Sequence, residues 1–147
     1  MKFKTILITL SLSLGLHFAY ATDSWKTDFA AALEEAKAQN KSILVDFTGS
    51  DWCGWCIKLN KEVFSQTAFK EFAASELVLV KIDFPIKKTQ SEALVAQNKA
   101  LADKYEVHGY PTILLLSPQG KLIGRTGYKA GGPETYIEHI KKIIGKQ

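Results

Sequence analysis

Cysteine is nearly absent from this 147-residue chain: Cys53 and Cys56 are its only two. That scarcity excludes a disulfide framework, which needs several pairs spread over the chain. Any sulfur chemistry is therefore confined to residues 53–56. No cysteine lies near the apolar N-terminal stretch Thr5–Phe18, which argues against a lipid-modified N-terminus. That stretch is also too short for a comfortable membrane span, so no stable membrane anchor is expected. Internal repeats, low-complexity tracts and linkers are missing. So is any concentrated basic patch: the lysines are scattered or paired, as in Lys87-Lys88 and Lys141-Lys142, and nothing points to nucleic-acid binding. Histidine is scarce, with three residues. Haem attachment through Cys-x-x-Cys-His fails because Ile57 follows Cys56, and a zinc site would have to recruit His108, His139 or carboxylates. No metal is expected.

What is present begins with a targeting segment. Lys2 and Lys4 form a positive n-region, Thr5–Phe18 is apolar and free of acids, and Ala19-Tyr20-Ala21 has the small-x-small pattern cut by signal peptidase. Residues 1–21 read as a signal peptide, leaving 22–147 as one domain large enough for a proper core. Without Lys2 and Lys4 the formal charge falls from +4 to +2, so much of the basic character belongs to the leader. The expected location is the periplasm or the exterior, after cleavage near Ala21. Outside a reducing cytosol thiols oxidise, and structural disulfides usually span longer loops. A pair only three residues apart in an exported protein reads as a working dithiol.

Along the domain, Thr27 is placed to cap a helix with Phe29, Ala32, Leu33 and Ala36 on one face. Ile43-Leu44-Val45-Asp46-Phe47 is a nearly continuous apolar run, as in a strand covered on both sides. A helix is expected from Cys53 to about Lys61, then a second from Thr67 to Ser75. Leu77–Asp83 is the next strand, and Thr89-x-x-Glu92 has the form of a capping box opening a helix to about Tyr105. Thr112–Leu116 and Lys121–Arg125 flank a Pro118-Gln119-Gly120 turn, and Pro133 begins the last helix. The order implies an α/β domain with a central mixed four-stranded sheet and helices on both faces.

Three separated segments now carry a resemblance to the thioredoxin superfamily, over most of residues 25–144. They are Ile43–Phe47 followed by Trp52-Cys53-Gly54-Trp55-Cys56, then Val80-Lys81-Ile82-Asp83, and Gly109-Tyr110-Pro111-Thr112. The longer string Phe47–Cys53 is similar to exported bacterial thioredoxin-like proteins. Two departures stand out. Trp55 replaces the proline that thioredoxins carry between the cysteines, and the stretch from Asp83 to Pro111 is extended through Phe84-Pro85-Ile86-Lys87-Lys88.

The resemblance implies a thioredoxin fold and a thiol–disulfide oxidoreductase of the reductase or isomerase type. Cys53, exposed at a helix N-terminus that favours a thiolate, would be the nucleophile, and Cys56 the resolving thiol. Asp46 alone reads as a solvent-facing strand residue, but in the family this position is a buried acid behind the second cysteine. Burial would raise its pKa and let it relay a proton, with Lys81 as its partner. Pro111 would be cis, placing Tyr110 beside the dithiol, with Trp52, Gly54 and Trp55 completing the substrate surface. His108 is either a tuning residue or an ordinary loop histidine. Protein disulfides and thiols are the implied substrates, an electron donor in the membrane the implied partner, and no dissociable cofactor is needed. The alternative is a polypeptide-binding or chaperone module with idle cysteines.

Overall fold

The computed structural model describes residues 24–145; the expected signal peptide lies outside them. Five strands form one mixed sheet in the order β1-β3-β2-β4-β5: β1 Trp25–Lys26, β2 Ser42–Thr48, β3 Leu77–Asp83, β4 Thr112–Leu116 and β5 Leu122–Thr126. The sheet has one strand more than the sequence suggests. β1 is only two residues long, too short to show alternation, and it pairs parallel to β3 through Trp25 with Leu79 and Lys26 with Val80. The other strands lie within a residue of where the apolar runs place them.

Every residue of β2 is buried, as a central strand with both faces covered must be. Its alternation sorts the core into two layers. Ile43, Val45 and Phe47 face one side, where they meet α1 (Phe29–Gln39) and α4 (Glu92–Lys104) through Ala32, Ala36, Leu101 and Tyr105. Leu44 faces the other side with Leu79, Ile113 and Leu115. There α2 (Gly54–Leu59), a π-helical turn (Asn60–Phe64), α3 (Thr67–Glu76) and α5 (Gly132–Ile144) cover the sheet through Leu59, Phe64, Phe69, Tyr136 and Ile140. Asp46, two residues on from Leu44, turns toward this second layer, beneath α2.

The helix starts differ from the sequence reading because local hydrogen bonds decide them. Asp28, not Thr27, caps α1: its Oδ1 accepts the Ala31 N–H at 3.0 Å. The Thr27 carbonyl is instead held by the Gln97 side chain. α4 starts at Glu92 with Ser91 as its cap, so Thr89 makes no capping box. α2 ends at Leu59, short of the expected Lys61, and the chain goes on as the wider π-helical turn, which buries both Val63 and Phe64.

One buried polar group ties the sheet to α4. Asn98, 1% exposed, donates from Nδ2 to the Asp83 carbonyl at 2.9 Å and accepts from Gln97 at 3.0 Å. The Asp83 carbonyl also accepts the Gln90 side chain at 3.2 Å, so losing Asn98 removes a buried hydrogen bond, worth about 1 kcal/mol, without stranding its partner. Asn98→Ala should lower unfolding stability by about 1 kcal/mol in urea titration; a loss near zero would show that the bond from Gln90 suffices.

Candidate active site

The chain leaves β2 at Thr48, turns through Gly49-Ser50-Asp51-Trp52 and enters α2 with Cys53 as its N-cap. Cys53 and Cys56 are joined in a disulfide with their Cα atoms 5.2 Å apart. The Cys53 Sγ also accepts the Cys56 N–H at 3.2 Å. A sulfur in the cap position meets an otherwise unpaired helix donor, the arrangement that favours negative charge there. Cys53 is not exposed at the loop tip as expected: it is 7% exposed and Cys56 4%. As the cap, its side chain folds back over the helix start, and the exposed surface beside it belongs to the two tryptophans.

The turn is held by β3. Asp83 accepts the Ser50 N–H at 2.9 Å and its hydroxyl at 2.6 Å, and the Phe84 N–H donates to the Thr48 carbonyl at 2.8 Å. The Trp52 indole donates to the Phe84 carbonyl at 2.7 Å, and its ring packs edge-on against Tyr110, with 5.9 Å between centroids. Gly49 is required beneath it, since a Cβ there would sit 2.5 Å from the indole. Trp52 is thus largely a packing residue. Trp55 is freer, 57% exposed, and stacks at 5.1 Å on Tyr128. Lys58 lies 5.2 Å from both ring centroids, and the Tyr128 hydroxyl donates to Glu62 at 2.7 Å. Sequence reasoning missed Tyr128, for the short stretch between β5 and α5 carries no motif.

Behind the disulfide, a cleft of about 120 Å³ is lined by Asp46, Thr48, Ser50, Cys56, Ile57, Asn60 and Lys81. Asp46 and Cys56 therefore share one small space. Asp46 is 5% exposed and its Oδ1 has no hydrogen-bond partner among the described residues. Burial pushes its pKa up to about 7, against the pull of Lys81 and with a further push from Asp83. Lys81 stands opposite Asp46 in the parallel β2–β3 register, yet its ammonium lies 5.4 Å over the Trp25 ring and forms no ion pair with Asp46. The remaining candidates divide. The Tyr110–Pro111 bond is cis and Tyr110 is half-buried beside Trp52, whereas Gly54 and His108 are exposed. Among the described residues, no group of three or more His, Cys, Asp or Glu side chains is arranged to hold a metal.

This sheet order, with the dithiol capping the helix after β2, defines a thioredoxin fold. A family model described as a thioredoxin-like domain matches residues 29–144, and the chain belongs to that family. Its relatives include the disulfide bond reductase DsbH of Chlamydia pneumoniae, 37% identical over 126 residues that span 86% of this chain and 75% of the relative. Thioredoxin-related protein DsbJ of the same organism is 33% identical, but the match spans only 37% of that longer protein. A solved structure described as DsbH oxidoreductase has a TM-score of 0.81 at 34% identity, covering 95% of this chain and 96% of the other. The protein is a thiol–disulfide oxidoreductase. No helix among the described residues is long and apolar enough to cross a membrane.

The buried carboxyl gives this site a pH signature. Asp46 ionises near pH 3.8 when exposed and near 7 in the fold, so the folded state holds a proton that the unfolded state releases. Its contribution to stability is complete below pH 3.8 and is lost as pH rises through about 7. Over that window the loss should be on the order of 4 kcal/mol. Asp46→Asn should flatten this part of the profile and raise stability at pH 8. Urea titrations of both proteins between pH 4 and 8 would check it; parallel profiles would mean that Asp46 titrates normally.

Proposed function

We propose that the protein is an exported disulfide reductase or isomerase that acts on protein substrates. The observation that carries this reading is the arrangement at the start of α2: a disulfide capping a helix, with an exposed aromatic surface beside it and a buried acid behind it. The Cys53 thiolate attacks one sulfur of a substrate disulfide, forming a mixed disulfide and releasing the other sulfur as a thiolate. Cys56 then loses its proton and attacks the Cys53 sulfur. The second substrate sulfur leaves, two electrons have passed to the substrate, and the Cys53–Cys56 disulfide of this structure is restored. Asp46 takes that proton, a role supported by the cleft it shares with Cys56, and Lys81 biases its charge. The chemistry needs no dissociable cofactor.

Trp52, Gly54, Trp55, Tyr110 and Pro111 supply the docking surface. The backbone at Tyr110 offers an edge for an extended polypeptide, and Trp55 an apolar plate. Regeneration then falls to an electron donor in the membrane, consistent with a leader that directs the chain to the periplasm or beyond. One relative is named a disulfide bond reductase and several plant relatives protein disulfide-isomerases, which supports a reductase or isomerase. Equilibration of the protein with glutathione buffers should give a reduction potential between thioredoxin's, about −270 mV, and that of protein disulfide isomerase, about −180 mV. A value near about −120 mV would identify an oxidant and overturn the direction. Cys56→Ala should accumulate stable mixed disulfides through Cys53, visible as adducts on non-reducing gels. Cys53→Ser should abolish both turnover and adducts, and undiminished turnover in that variant would overturn the mechanism.

A further inference from the structure

The segment that follows β3 is fastened to the active-site turn more firmly than a surface connection requires. Asp51, two residues before Cys53, accepts the backbone N–H groups of Ile86 at 3.0 Å and Lys87 at 2.8 Å. Those bonds, the one from Ile86 foremost, hold its carboxyl below the usual carboxylate range. With the Trp52 bond to the Phe84 carbonyl and the Phe84 bond to Thr48, they fix the tip of the segment against the turn that carries the dithiol. Phe84 stacks at 5.2 Å on Tyr110, so the apolar surface runs from Trp52 through Tyr110 into this segment. At its tip Ile86 is 73% exposed, the largest exposure of any bulky apolar side chain among the described residues. Lys87 and Lys88 beside it are exposed, and neither ammonium forms an ion pair or hydrogen bond among the described residues. Both ammonium groups act on the Asp51 carboxylate only at longer range, adding to its lowered pKa, because its two oxygens are already occupied by backbone N–H groups.

We propose that residues 84–88 form a specificity wall of the disulfide-exchange site. Ile86 receives an apolar side chain of an extended substrate polypeptide, and Lys87 and Lys88 receive a carboxylate close to its reacting cysteine. The inference rests on the oxidoreductase reading above and adds to it the class of substrate: disulfides flanked by acidic residues. Unpaired cations on the rim of a site act mainly on encounter, drawing acidic partners and repelling basic ones. A segment present only to brace the turn would not discriminate by charge.

The test compares two synthetic peptides, each with one intramolecular disulfide, identical except for Glu or Lys at the flanking positions. The wild-type protein should reduce the Glu peptide with kcat/KM roughly five-fold higher at low ionic strength, chiefly through KM. Added salt should erode that preference, because exposed charges are screened. Lys87→Glu combined with Lys88→Glu should reverse it, and Lys87→Gln combined with Lys88→Gln should abolish it. Equal use of both peptides by the wild type, or an unchanged preference in the charge-reversed variant, overturns the proposal. A wild-type protein that reduces neither peptide, nor a small uncharged disulfide, would overturn the oxidoreductase reading itself, and the substrate preference with it.

Discussion

The site depends first on the register between β2 and β3. Seven consecutive pairs, from Ser42 with Leu77 to Thr48 with Asp83, bring the two strands to an end at the same level of the sheet. Because β2 is buried on both faces, that register is strongly specified: a slip of one residue would exchange the two core layers and turn Asp46 away from α2. The fixed ends then build the turn. Asp83 stands where its carboxylate catches both donors of Ser50, and the Phe84 N–H reaches the Thr48 carbonyl just past the last pair. The position of Cys53 over the sheet is thus a consequence of strand pairing, with Ser50 tied back to β3 and Asp51 and Trp52 to the segment after it.

The same register creates the most costly feature of the domain. Asp46 is carried into the layer under α2 by the alternation that buries Leu44, and its Oδ1 finds no donor there. A lysine sits at the paired position, yet desolvation outweighs its attraction, and the geometry says why. Lys81 is only half-buried, and its ammonium has settled over the Trp25 ring, a site that keeps it partly in water. The carboxyl is therefore left near neutrality instead of being locked as an anion. A group that changes charge close to neutral pH, in a cleft shared with Cys56, is suited to exchanging protons, whereas a tight ion pair would fix its charge.

Much of this was legible in the chain. The apolar runs gave β2, β3 and β4 to within a residue, because continuous burial leaves a continuous signal. The Cys53–Cys56 pair stood out by its spacing alone, whereas the burial of Asp46, the place of Lys81 beside it and the cis Tyr110–Pro111 bond were expected only through the family resemblance. What escaped is of another kind. β1 is two residues long and exists only through its pairing with β3. Thr27 and Asp28 are both competent caps, and the choice between them rests on where Gln97, 70 residues away, directs its amide. Tyr128 joins Trp55 through a contact that no local spacing encodes. The exposure expected of Cys53 failed because a side chain in the cap position turns inward, which is a matter of backbone angle rather than of sequence.

The two tryptophans beside the cysteines show how one short motif separates structural from contact roles. Trp52 has its indole N–H committed to Phe84, its ring against Tyr110 and a glycine beneath it. Trp55 stands where thioredoxins carry proline, and its indole has no hydrogen bond among the described residues; a neighbouring ring and a lysine over its face hold it. A proline there would be small and rigid, whereas this side chain offers a broad apolar face whose position depends on Tyr128, Lys58 and, through the tyrosine hydroxyl, Glu62. Glu62 comes from the π-helical turn and Tyr128 from the stretch after β5, so two elements outside the motif set the angle of the ring next to the dithiol. One flank of the dithiol is thereby fixed to the segment after β3, while the exposed ring on the other flank is supported by side chains alone.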